Sequence, residues 1–141
     1  MRRFGPRILG FTLIELMIVV AVAAVLVVIA YPQYTRYTYR ARRGEGQELL
    51  LRTATAQERY YATYNKYAAS MTTDLKFASD TSVNGYYQVS IAAPTGGSLS
   101  TGYVLTAAPL LAQKSDVCGN LTLDSIGVKS QSGTTSNGRC W

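Results

Sequence analysis

Hydrophobic positions in this chain fall into three regimes: first unbroken, then spaced as on a helix face, then alternating. From Phe11 to Tyr31 (FTLIELMIVVAVAAVLVVIAY) apolar residues run almost without interruption, and Glu15 is the only charge. About twenty helical residues at 1.5 Å each cover the roughly 30 Å of bilayer hydrocarbon, so the run predicts a helix of membrane length. Pro32 follows directly; its missing donor and its clash with the preceding turn predict a kink. From Gln33 to about Ala62 the pattern becomes amphipathic. Leu49, Ala56 and Tyr60 lie on one side, with Leu50, Ala54 and Tyr61 close by. Glu48 and Arg52 form an i,i+4 pair in the favourable order, worth a few tenths of a kcal/mol. The stretch Arg42-Arg43-Gly44-Glu45-Gly46 interrupts this face. Each glycine costs about 1 kcal/mol against alanine, which predicts a continuous but softened helix there. The tyrosine-dense Tyr60–Tyr67 closes the helix near Asn65 and reads as a core ridge rather than a binding platform.

Beyond it, Ala68–Gly85 is polar and irregular, with a short apolar insert at Leu75 and Phe77. Tyr86–Ala92 then alternates, placing Tyr87, Val89 and Ile91 on one face of a strand. Pro94–Ser98 is turn chemistry, and Tyr103–Ala107 is a second strand closed by Pro109. Leu121–Lys129 predicts two short strands around an Asp124-Ser125-Ile126-Gly127 turn. The fold class is therefore α+β: a long N-terminal helix, half of membrane type and half amphipathic, packed on a small antiparallel sheet. Ser130–Gly138 is a polar loop without apolar anchors.

At 141 residues there is room for one domain beyond the helix. The net charge of +6 owes three units to Arg2, Arg3 and Arg7, ahead of the apolar run, and is weak evidence for a nucleic-acid partner. The chain has no histidine. Its acids beyond Glu15 are scattered, and it holds no Ser/His/Asp set, metal-ligand cluster or phosphate-binding loop, which argues against an enzyme and implies no cofactor or metal. The two cysteines, Cys118 and Cys140, are far from any CxxC spacing. Behind a membrane-targeting N-terminus they read as one disulfide in an oxidising compartment, which also sets the C-terminal part outside the cytoplasm. It would close a loop of about twenty residues, for which chain entropy gives on the order of 3 kcal/mol, the main source of order for so polar a segment. The cluster Arg36, Arg40, Arg42 and Arg43, interleaved with Tyr34, Tyr37 and Tyr39, has three readings: a nucleic-acid surface, a contact with anionic headgroups, or a solvated or intersubunit helix face. Its place beside the membrane segment disfavours DNA.

Glu15 needs its own account. A carboxylate in the bilayer costs about 2.5–3.5 kcal/mol on insertion scales, so it normally has a partner. A conventional secretory signal would explain the basic start and Ala21-Val22-Ala23 as a cleavage site, but the apolar run continues past that point and contains the glutamate.

An arginine-rich leader ending in Gly10, followed by Phe11-Thr12-Leu13-Ile14-Glu15-Leu16, resembles the class III signal of type IV prepilins and related pseudopilins. The resemblance implies cleavage between Gly10 and Phe11 and methylation of the new Phe11 amine by a membrane prepilin peptidase/methyltransferase. It also implies retention of Glu15 for assembly, with the liberated amine of one subunit available to the carboxylate of its neighbour. It divides the chain into a leader (1–10), a transmembrane and filament-core helix (11–31) in contact with lipid, the amphipathic half of the helix (32–62), and an αβ-loop, sheet and disulfide-bounded region (63–141). Glu45–Leu50, Gln57–Tyr61, Tyr103–Ala107, Cys118–Leu123 and the final Cys140-Trp141 are similar to the PilE-type minor pilins. That similarity implies a type IV pilin fold and a place with other minor and major pilins on the inner-membrane assembly platform, priming the pilus and capping its fibre. It leaves open a major filament subunit and a DNA-uptake or adhesive pilin. The type II secretion pseudopilin, with its calcium site and no such disulfide, fits less well, since no clustered acids are present here.

Overall fold

The computed structural model describes residues 10–141; the leader assigned to residues 1–10 falls, apart from Gly10, outside the described residues. A single helix, α1 (Leu13–Tyr64), passes through two compact units that divide at Thr35/Arg36.

In the first unit every residue from Gly10 to Tyr34 is exposed, and the segment is long and apolar enough to cross a membrane. Each valine, leucine or isoleucine here stands to gain about 1.5–3 kcal/mol on leaving water, so this surface is costly to leave in water. The helix assignment is unbroken across Pro32, and Thr35 donates its hydroxyl to the Pro32 carbonyl at 3.0 Å.

In the second unit, four strands form an antiparallel meander in chain order: β1 (Tyr87–Ala92), β2 (Val104–Pro109), β3 (Leu121–Asp124) and β4 (Lys129–Gln131). Alternation sorts the faces as the sequence leads one to expect. Tyr87 and Val89, Leu105 and Ala107, and Leu121 and Leu123 are buried, while Gln88 and Ser90 are exposed. The β3–β4 turn follows from its residues: the Asp124 carboxylate accepts the amides of Ile126 and Val128, and Gly127 supplies φ +84°.

The helix face buried within this unit is Gly46, Leu49, Leu50, Thr53 and Gln57, so it is more polar than the apolar spacing alone suggests. Gln57 is fully buried because both ends of its amide are used. Its Nε2 donates to the Ala68 carbonyl and its Oε1 accepts the Ala68 amide, at 2.9 and 2.8 Å. That pair ties the chain leaving the helix back onto it. The tyrosine ridge continues the same way: Tyr61 stacks on Tyr67, whose ring meets Tyr103 edge-on. Asn65, at φ 54°, adopts the left-handed conformation that ends the helix.

The two helix glycines have different roles. A side chain at Gly44 would meet open space, whereas a Cβ at Gly46 would lie 2.9 Å from Cγ of the fully buried Tyr87. Gly46 is thus the point where the strand's aromatic ring touches helix backbone. Gly44→Ala should stabilise the protein by up to about 1 kcal/mol through helix propensity. Gly46→Ala should destabilise it, since about 1–3 kcal/mol of overpacking outweighs that gain. Thermal melts of the two variants in detergent test this difference in sign.

Candidate functional site

Two features carry the functional chemistry: the start of the exposed helix and the closure of the C-terminal loop. Gly10, Phe11 and Thr12 lie ahead of α1 in exposed, non-helical backbone. The Thr12 hydroxyl accepts the Glu15 amide at 3.3 Å, which makes Thr12 the N-cap and puts Glu15 in the first turn. An acid there also faces the positive end of the helix dipole. The Thr12-x-x-Glu15 spacing was the available signal for this local role, beside the intermolecular role inferred from charge burial.

Cys118 and Cys140 are joined in a disulfide. It is not the main source of order for the loop. Ser132, Gly133 and Thr134 donate their amides to the carbonyls of Asn120, Cys118 and Val117, extending the β3–β4 ladder, and Ser130 and Gln131 belong to β4 itself. A side chain at Gly133 would collide with the Val117 carbonyl, so the loop is seated closely against the strand side of the bridge.

Arg43 dominates this region. Expected on an outer basic face, it is instead 1 % exposed. Its Nε and Nη2 form a two-point fork on the Asp116 carboxylate, both at 2.6 Å. Its Nη1 donates to the carbonyls of Asn137 and Arg139, both at 3.0 Å. One guanidinium therefore holds helix, the approach to Cys118 and the approach to Cys140 together. Gln113, in the 3-10 turn Leu111–Ser115, donates toward Asp116, the Tyr87 hydroxyl and the Tyr39 carbonyl. Gln47 reaches the Cys140 carbonyl, and Asn137 the Arg36 carbonyl. The rest of the basic cluster divides: Arg42 lies 4.3 Å over the Tyr86 ring, while Arg36 and Arg40 stay exposed. Among the described residues no group of three His, Cys, Asp or Glu side chains could hold a metal ion.

Burial raises the Tyr87 and Tyr103 hydroxyls above their usual pKa of 10.0; for Tyr103 the neighbouring Glu58 adds to the rise.

A family model described as "Type IV minor pilin ComP, DNA uptake sequence receptor" matches residues 32–122. A second, for the prokaryotic N-terminal methylation motif, matches residues 6–31. The type IV major pilin PilA of Myxococcus xanthus is 37 % identical over 91 residues, covering 64 % of this chain and 41 % of its own. A fimbrial protein of Neisseria meningitidis is 37 % identical over 87 residues, 62 % of this chain and 51 % of its own. The matches thus span about half the length of these relatives or less. Among solved structures, a type IV pilin from Shewanella oneidensis aligns with a TM-score of 0.50 at 30 % identity, covering 73 % of this chain and 97 % of that one. The non-core minor pilin PilV of Neisseria meningitidis aligns with 0.53 at 25 %, covering 71 % and 92 %. The chain belongs to the type IV pilin family, the structural subunits of the pilus.

Arg43→Ala should destabilise the protein by about 3–5 kcal/mol, because it strands a buried Asp116 carboxylate, whereas the Arg43→Met/Asp116→Leu pair should recover much of that loss. Denaturant titration of the three proteins measures it. The raised tyrosine pKa values give a sign for alkaline pH. Below pH 10 the stability is fully present; above it the unfolded chain loses protons that the folded chain keeps, so stability falls. Tyr103→Phe should flatten that fall in melts recorded between about pH 8 and 11.

Proposed function

We propose that this pilin is a minor subunit of the type IV pilus. It is inserted in the bacterial inner membrane through residues 11–31 with its C-terminal region in the periplasm. The prepilin peptidase/methyltransferase cuts between Gly10 and Phe11 and methylates the Phe11 amine. Together with other minor and major pilins on the assembly platform, it primes the fibre that serves twitching motility and adhesion. The observation that carries this reading is the exposed apolar unit with Glu15 as its one acid, beginning directly after an accessible Gly10–Phe11 bond. In a stack of such helices the freed amine supplies the counter-charge that a carboxylate in an apolar surround requires, and the pair fixes register more than it adds stability. Pro32 is the proposed site where the helix yields on assembly.

Two further readings each have an observation behind them. The named major pilins among its relatives favour an abundant filament subunit, and the receptor description of the matched family model favours a pilin for DNA uptake. A dominant band of this protein in sheared fibres would select the first over a minor role. Retardation of duplex DNA by the full chain in detergent would support the second.

Intact mass of membrane-extracted protein should show loss of residues 1–10 and gain of one methyl group; a chain still starting at Met1 in functional pili would sink the proposal. Glu15→Ala should insert and be processed but stay out of filaments. Thr12→Ala, which removes the cap and keeps the carboxylate, should be incorporated once processing is verified. If Thr12→Ala fails equally, helix capping and not the charge is what assembly needs.

A further inference from the structure

Of the four arginines that follow the apolar run, the fold takes two out of contention: Arg43 into its buried fork and Arg42 onto Tyr86. The other two, Arg36 and Arg40, lie one helical turn apart on one face and are exposed. The disulfide-closed loop is seated on that same stretch. Asn137 donates to the Arg36 carbonyl at 3.1 Å, and Gly138 lies against the Arg40 side chain, its Cβ position 3.3 Å from Cδ. The next residue, Arg139, is exposed, and its carbonyl is held by Arg43. Loop closure therefore brings a third arginine, distant in sequence, into the segment seated on this stretch, one residue past Gly138. Among the described residues no acid forms an ion pair with this group: Asp116 is committed to Arg43 and Glu45 to Asn84.

We propose that Arg36, Arg40 and Arg139 form a contact surface for the phosphate-bearing headgroups of anionic phospholipid. The inference rests on the membrane anchoring proposed above. Arg36 and Arg40 are five and nine residues past Tyr31, so a chain anchored through 11–31 keeps them permanently near the lipid surface. Tethering of that kind gives an effective concentration that a ligand from solution must match by affinity. Tyr31, Tyr34 and Tyr37, all exposed, are the residue type that settles at the headgroup level of a bilayer. These two facts favour lipid over nucleic acid, which would use the same arginines. The surface would hold the subunit against the leaflet until it is drawn into a fibre, with its third cation present only after the loop has folded.

The test uses the full chain in nanodiscs of phosphatidylcholine with a minority of phosphatidylglycerol, reading the lipids retained on the protein by native mass spectrometry. The wild type should retain phosphatidylglycerol above its bulk ratio. The preference should fall by up to about fivefold for each arginine removed, and should weaken with salt. Arg36→Gln/Arg40→Gln/Arg139→Gln should bring retention to the bulk ratio. The matching triple lysine variant should keep the preference, which separates charge from misfolding. Arg59→Gln, about 35 Å along the helix from Arg36, should change nothing. Equal preference in the wild type and the glutamine variant overturns the proposal, as does loss in Arg59→Gln. Duplex DNA bound by the wild type and not by the glutamine variant, with no phosphatidylglycerol preference, would reassign the surface to nucleic acid and overturn it. A chain that does not enter these nanodiscs refutes the anchoring itself, a distinct failure.

Discussion

The second unit depends on one guanidinium. Arg43 uses four of its five N–H groups: two on the Asp116 carboxylate and two on backbone carbonyls either side of Gly138. A buried charge without such partners would cost several kcal/mol, so the arrangement is nearly all-or-none. Because the donors are fixed in a plane, their directions set the spacing of three segments at once. Lysine, with a single rotating ammonium, could not impose that spacing. The disulfide then locks covalently an arrangement that the fork already defines through Asp116 and Arg139, close neighbours of the two cysteines.

This division of labour bears on how a pilin can be both anchored and assembled. Among the described residues, the apolar surface of the N-terminal unit is exposed throughout from Gly10 to Tyr34. The C-terminal unit keeps its own polar accounts closed: Gln57 on Ala68, Gln47 on Cys140, Arg43 on the loop. On the proposed function, transfer from membrane to fibre would ask for new contacts on the first unit without asking the second to unfold. On that same proposal, Glu15 would link the two environments, its amide bound by Thr12 at the helix start and its carboxylate left for an amine from another chain.

The sequence made the local features legible. An unbroken apolar run, strict alternation in β1, and the Asp124–Gly127 turn each state their structure within a few residues. What it concealed is non-local. Arg43 and Asp116 are 73 positions apart, and an arginine inside a run of arginines carries the pattern of an outer face. Gln57 looks like helix surface until Ala68, beyond the helix end, supplies both its partners. Gly46 suggested softness by propensity, while its reason is the Tyr87 ring from another element. The polar loop seemed to need its disulfide for order because backbone hydrogen bonding to residues 117–120 leaves no mark in side-chain chemistry.

The closure of that loop has a consequence for variation. Its frame is set by the bridge, the fork on Arg43 and the tight seat of Gly133, none of which involves the side chains at Thr135 or Ser136, both exposed. That short crest can be rewritten, at the cost of the Thr134–Ser136 hydroxyl contact, while the scaffold beneath stays constant, and an engineer could graft a foreign epitope there on the same grounds.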